Sequence, residues 1–152
     1  MSIQGNLLAS GSEDKTVQVW NMETKSKVWE LKHEEEVICV QLHDKRLISS
    51  SDDKMTRIWN LDTGKEIHGL VHEDPCTNFD LSPDKTILAV GCMSGVVLWD
   101  FRNAKKLKEF KLGDVYDLRF NPGGDRLVVG LDDGRVFKID LAYEYGDKNE
   151  ES

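Results

Sequence analysis

Three side-chain types that make a hydrolytic triad lie close together in the chain: His33, a serine at position 49 or 51, and Asp53. A histidine held between a hydroxyl and a carboxylate can serve as a general base and activate a nucleophile. The surroundings argue against that chemistry. No Gly-x-Ser-x-Gly turn is present to raise a serine out of a sheet. The histidines and the three cysteines, Cys39, Cys76 and Cys92, show no metal-ligand spacing. Gly123-Gly124 follows Asn121-Pro122 and reads as a turn, with no Gly-Lys-Ser/Thr after it to cradle a phosphate. The expectation is therefore no catalytic residue, no metal and no cofactor.

The elements that must carry these side chains show themselves as a repeat. Residues 11–21 read GSEDKTVQVWN and residues 50–60 read SSDDKMTRIWN. A shorter copy, GCMSGVVLWD, spans 91–100, and a diverged one, GLDDGRVFKID, spans 130–140. The aligned anchors Trp20, Trp59, Trp99 and Ile139 fall at spacings of 39, 40 and 40 residues. A fixed period of that size marks an array of one supersecondary unit. Within each copy a small-residue segment leads into a polar turn. An aliphatic run follows and ends on the anchor and a side-chain amide or carboxylate. The alternation of Val17 and Val19 with Gln18 and Trp20 is that of a strand entered through a hairpin.

Four such copies in register resemble the WD-repeat family, over roughly residues 7–141. The resemblance implies an all-β fold, a β-propeller arc of about four blades, each a four-stranded sheet. The expected units are residues 7–31, 33–70, 72–110 and 113–145, forming one propeller segment over 1–145, with an acidic disordered tail at 146–152. Residues 1–6 read as a lead-in, so the first blade is expected to lack its inner strand and to leave the strand after it with an open edge. Such an arc is expected to be part of a larger propeller, and to need further blades or self-association to close.

In this family a histidine before the inner strand, a Ser or Thr on the second strand, a turn aspartate and the third-strand Trp form a hydrogen-bonded chain. The matching residues are His33, Ser49 or Ser51, Asp53 and Trp59. The resemblance thus gives the triad-like set a structural role, satisfying a buried imidazole, carboxylate and indole together. The other copies depart from the pattern. The first keeps Ser10, Ser12, Asp14 and Trp20 without a histidine. The third keeps His72 and Trp99 but has Met93-Ser94 at the turn. The fourth keeps Asp133 but has Leu131 and Ile139. Units three and four are expected to rely on apolar packing, and His43 and His68 to be exposed.

Residues 37–60 also resemble a blade of the F-box/WD-repeat proteins, the substrate receptors of cullin-type ubiquitin ligases. No F-box occurs in the sequence. The positions before the turn aspartate, where phosphate-reading members often carry Arg, hold Glu13, Asp52 and Asp132.

Composition narrows the function. The chain is 39% hydrophobic and 32% charged, with a net charge of −8. An acidic chain does not suit a phosphate-backbone binder, and no apolar run is long enough to span a membrane as a helix. The basic stretch 102–108 (RNAKKLK) reads as a solvated strand edge. Unpaired cysteine spacing and the absence of a signal-like N-terminus point to an intracellular protein, cytoplasmic or nuclear. The resemblance implies a non-enzymatic scaffold for protein–protein interactions. Its candidate partner-binding rim is Glu13, Asp52 and Asp132 with Glu34, Glu35 and Glu36, which suits a basic partner. The alternatives are a substrate-receptor segment of an F-box/WD-repeat ligase and an enzyme with a site on the propeller axis.

Overall fold

The computed structural model describes residues 1–141, and among these every regular element is a β-strand. The chain divides into two units, Met1–Asn78 and the residues from Phe79 onward. The first unit contains two antiparallel sheets. Sheet 1 has the order β1 (Ser2–Gln4), β2 (Leu7–Gly11), β3 (Thr16–Asn21), β4 (Ser26–Lys32). Sheet 2 has the order β5 (Val37–His43), β6 (Arg46–Ser51), β7 (Met55–Asn60), β8 (Glu66–Val71). The unit boundary falls within β9 (Cys76–Leu81), an edge strand of sheet 3, in which β10 (Ile87–Cys92), β11 (Gly95–Asp100) and β12 (Lys105–Lys111) follow it in order. Sheet 4 is formed by β13 (Val115–Phe120), β14 (Arg126–Leu131) and β15 (Val136–Asp140). The expected tail at 146–152, and the end of the fourth expected unit from 142 to 145, lie outside the described residues.

Sheet 1 corrects one expectation. Its inner strand is not missing, because Ser2–Gln4 pairs antiparallel with Leu7–Ala9 through Ile3↔Leu8. The Ser2 hydroxyl also accepts the Leu42 N–H at 2.9 Å, which ties β1 to the inner strand of sheet 2. Three residues are too few to show period-two alternation, so this strand is held by its ladder and its neighbour rather than by its own pattern.

The motif residues have local tasks. The residue after each Trp closes the next turn. Asn21 Oδ1 accepts the N–H groups of Glu23 and Thr24, Asn60 Oδ1 those of Asp62 and Thr63, and Asp100 Oδ1 those of Arg102 and Asn103. These are Asx turns, in which a short side chain stands in for backbone. The turn aspartate works in the same way on the strand that follows. Asp14, Asp53 and Asp133 accept the N–H two residues on, each at 3.0 Å. Lys15 and Lys54 take left-handed φ values of 72° and 64° in these hairpins, and Gly134 takes 87° in sheet 4. A register shift falls immediately before Trp20, Trp59 and Trp99, so the anchor sits at a β-bulge in all three sheets.

Each unit packs sheet on sheet. In the first, Ala9, Val17, Val19 and Leu31 of sheet 1 meet Val37, Val40, Leu42, Leu47 and Trp59 of sheet 2. In the second, Ala89, Val96 and Leu98 of sheet 3 meet Val115, Leu118, Leu127, Val129, Leu131 and Ile139 of sheet 4. Leu131 thus joins the apolar core at the place where sheet 2 carries a serine.

Candidate functional site

The triad-like residues converge beside sheet 2. His33 lies in the connection between β4 and β5, Ser49 on β6, Asp53 in the β6–β7 turn and Trp59 on β7. His33 Nε2 is 2.7 Å from Ser49 Oγ, and the Trp59 indole N–H donates to the same oxygen at 2.9 Å. The ionised Asp53 carboxylate can only accept, which assigns the ring proton to Nδ1, 3.0 Å from Asp53 Oδ2. His33 Nε2 then takes the Ser49 hydroxyl proton, while the same oxygen accepts the indole N–H. Asp53 Oδ2 also accepts the Glu34 N–H at 3.0 Å and Arg57 Nη1 at 2.6 Å. The rings of His33 and Trp59 meet edge to face, 6.2 Å between centroids.

Burial decides what this set can do. Ser49 and the His33 side chain are 0% exposed and Asp53 is 5% exposed. A hydroxyl enclosed in this way, already accepting an indole N–H, is not presented to a substrate. Burial lowers the His33 pKa below its usual 6.5, against the opposing pull of Asp53, so the ring is neutral at physiological pH. Burial alone would raise the Asp53 pKa. The hydrogen bonds from Arg57, the Glu34 N–H and His33 outweigh it and bring the pKa down to about 2. The result is a neutral imidazole beside a carboxylate neutralised by Arg57, a satisfied network rather than a poised base.

Ser51 serves elsewhere. Its hydroxyl donates to the Glu35 carbonyl at 3.0 Å and accepts the Asp53 N–H at 3.1 Å. Arg57, absent from the sequence reading, lies against both His33 Nδ1 and Asp53 and also reaches Glu66 at 3.2 Å. A cation two residues before the anchor Trp, four residues after the turn aspartate, was its available signal. Sequence reasoning also missed Trp29, whose indole donates to the Leu61 carbonyl at 2.7 Å while its ring covers Gly64.

The other anchors differ in burial. Trp59, Trp99 and Ile139 are buried, whereas Trp20 is half-buried with Lys27 Nζ 5.7 Å from its ring centroid. His72 Nε2 lies 3.1 Å from Thr56 Oγ1, a partner on the preceding repeat. His43 and His68 are half-buried, not exposed as expected from their turn and outer-strand positions.

The candidate rim of the first unit is a set of three loops bound to one another. The β2–β3 turn carries Glu13, the β4–β5 loop Glu34, Glu35 and Glu36, and the β6–β7 turn Asp52, all exposed. The Val37 N–H donates to the Ser12 carbonyl and the Asp52 N–H to the Glu36 carbonyl, at 3.1 and 3.0 Å. Lys15 pairs with Glu35 at 3.2 Å. In the second unit Asp132 is exposed on the β14–β15 turn, its N–H donating to the Asp114 carbonyl at 3.0 Å. Among the described residues no helix is long and apolar enough to cross a membrane.

Comparison with known proteins agrees with this geometry. The family model for the WD domain, G-beta repeat, matches residues 1–21, 25–60 and 104–140, more than half of the chain. No curated protein matches the chain significantly. Among solved structures, the computationally designed Ika4 protein matches with a TM-score of 0.84 and 26% identity, over 91% of this chain and 88% of that one. The computationally designed Ika8 protein matches with a TM-score of 0.83 and 26% identity, over 91% of this chain but 44% of that one. The Asx-closed turns, the Trp anchors and the Ser–His–Asp–Trp network are thus the working parts of β-propeller blades, and the chain belongs to the WD domain, G-beta repeat family.

Proposed function

We propose that the chain is a non-enzymatic protein-interaction scaffold whose first unit offers an acidic rim to a Lys- or Arg-rich segment of an intracellular protein. One observation carries this reading: five exposed carboxylates, Glu13, Glu34, Glu35, Glu36 and Asp52, sit on three loops held together by backbone hydrogen bonds. Carboxylates on a pre-ordered surface need little ordering when a partner binds, and their summed field steers a cation before contact. Lys15 and Lys54 on the same turns partly offset that field. Asp132, on the corresponding turn of the second unit, is included in the proposal by its place in the repeat. The net charge of −8 favours a basic polypeptide over a nucleic acid. Three cysteines outside any disulfide, two of them buried, fit a reducing compartment, cytoplasmic or nuclear.

The test replaces Glu13, Asp52 and Asp132 with lysine and measures association with Lys/Arg-rich peptides and their glutamine-substituted controls across salt concentrations. Association of the native chain should be fast at low salt and fall steeply as salt screens it. The triple variant should lose about tenfold in rate at low salt and most of the salt dependence, with its far-UV spectrum unchanged. Equal kinetics in the two proteins would remove the rim reading and leave the carboxylates a solubility role.

A further inference from the structure

The sheet-on-sheet contact inside each unit is built on one plan. A glycine on the second strand forms a notch, and a valine from the inner strand of the next sheet fills it. A Cβ added at Gly11 would lie 2.5 Å from Val37 Cγ1, and one at Gly91 would lie 2.6 Å from Val115 Cγ1. Around the notch the receiving face carries Ala9, Val17 and Val19 in the first unit, and Ala89, Val96 and Leu98 in the second. The entering face carries an inner-strand aliphatic pair, a second-strand leucine and the third-strand anchor.

Sheet 4 presents a second receiving face on its far side. Its pairs Val128↔Lys138 and Gly130↔Val136 stand where sheet 1 has Ala9↔Val19 and Gly11↔Val17, and where sheet 3 has Ala89↔Leu98 and Gly91↔Val96. Here the notch is open. A Cβ at Gly130 would meet only the Asp117 carbonyl oxygen, at 3.9 Å. Val128 and Val136 are 44% and 70% exposed. A shallow cavity of about 240 Å³ lies over the glycine, lined by Asp117, Leu118, Arg119, Val128, Gly130 and Val136. Glycine inside a strand marks a close approach of something else, and no described residue approaches this one.

Sheet 1 presents the matching entering face. Its register Ile3↔Leu8 and Leu8↔Trp20 repeats Leu42↔Leu47 and Leu47↔Trp59 of sheet 2, with Ser10 in the place of Ser49. Leu42, Leu47 and Trp59 are 5%, 0% and 7% exposed against sheet 1, whereas Ile3 is 60% exposed and Leu8 and Trp20 are half-buried. By the same register Met1, 85% exposed, stands where Val40 stands over Gly11.

We propose that the open face of sheet 4, centred on Gly130, receives the open face of sheet 1 from a second copy of this chain. Both halves of the contact are present on one sequence, and no described residue covers either. Side-chain charges beside the two faces form ion pairs within their own sheets, Arg119 with Asp117, Arg126 and Lys138 with Asp140, and Lys27 with Glu30, so the apolar centres can meet without breaking them. The Ika8 chain, of which the match fills 44%, holds this fold together with a comparable length of further chain. The contact is heterologous, head to tail, and independent of the acidic rim.

The experiment is light scattering of the full chain from micromolar to millimolar concentration. The mass should rise above the 17.3 kDa of one copy. Gly130→Leu places its Cβ 3.9 Å from the nearest atom of its own chain and points the rest of the side chain at the open face, so it should keep the native far-UV spectrum and melt but stay at monomer mass. Val136→Asp, on the same exposed face, is the second variant and should behave alike. Leu8→Asp should block the other face. Gly130→Leu mixed with Leu8→Asp should recover a mixed species, because each retains one competent face. A native chain that stays monomeric throughout, as it would if another protein or more of its own chain covered these faces, overturns the proposal. So does a Gly130→Leu variant that associates like the native chain, or a mixture that stays monomeric.

Discussion

Replacing Ser49 by alanine isolates the hub of the buried network. The Ser49 hydroxyl is fully enclosed, 2.9 Å from the Trp59 indole nitrogen and 2.7 Å from His33 Nε2. Alanine preserves the packing and removes one oxygen, so the cost comes from two buried polar groups left without a partner. Each unsatisfied group costs about 1–3 kcal/mol, and the loss from the two should be about 2–6 kcal/mol. Ser51→Ala is the control. Its hydroxyl serves the Glu35 carbonyl and the Asp53 N–H beside exposed loops. Ser51 is itself 0% exposed, but Glu35 is exposed, so water reaching its carbonyl should keep the cost to about 0.5–1.5 kcal/mol. Urea unfolding followed by far-UV circular dichroism measures both. Trp59→Phe, which removes the indole N–H and keeps most of the ring volume, closes a double-mutant cycle with Ser49→Ala and should show a coupling of about 1 kcal/mol or more. If Ser49→Ala cost no more than Ser51→Ala, or cost the same in the Trp59→Phe background, the serine would not be the hub.

Stability should depend on pH through the same residues. The His33 pKa is lowered from 6.5 and the Asp53 pKa from 3.8 to about 2, so the unfolded chain takes up both protons first. Stability is then fully present above pH 6.5 and lost as pH falls, first through His33 and then through Asp53, whose share is roughly 1–2 kcal/mol after solvent screening. A flat profile from neutral pH to pH 3.8 in equilibrium denaturation would contradict the His33 half of this account. Gly95 has a φ of 144°, and a Cβ there would fall 1.9 Å from the Phe110 carbonyl oxygen. Gly95→Ala should cost about 3 kcal/mol or more, against about 1 kcal/mol for Gly134→Ala, whose surroundings are open, and equal thermal shifts would refute the steric argument.

The repeat was legible because it is written in residues that act locally. Asn21, Asn60 and Asp100 close turns within three residues of themselves, and Asp14, Asp53 and Asp133 do so within two. What the sequence hid depends on contacts between repeats. Ser2–Gln4 is a strand because Leu7–Ala9 and Leu42 hold it, and nothing in its own three residues says so. Ser49 and Ser51 share one side of β6 by period two, so alternation cannot separate them. The separation comes from position along the strand: Ser49 lies deep enough to meet Trp59, while Ser51 lies at the end and meets Glu35. His72 finds Thr56 on the preceding repeat, a partner that no motif within its own repeat would name.

The buried network and the exposed rim are one mechanical device. Asp53 holds the Glu34 N–H while the Ser51 hydroxyl holds the Glu35 carbonyl, and the Asp52 N–H holds the Glu36 carbonyl. Each of the three loop glutamates is therefore pinned by an atom of residues 51–53, at the end of β6 and in the turn after it. That turn is in turn fixed from inside by His33 and Arg57 on Asp53. Fixing the backbone of one residue costs roughly 1–2 kcal/mol, so a loop already fixed by the fold spares a partner that cost at binding. A set of residues with the composition of a hydrolytic triad thereby holds a turn and the neighbouring loop together. The neutral imidazole and the carboxylate bound by Arg57 brace the loop that carries Glu34, Glu35 and Glu36.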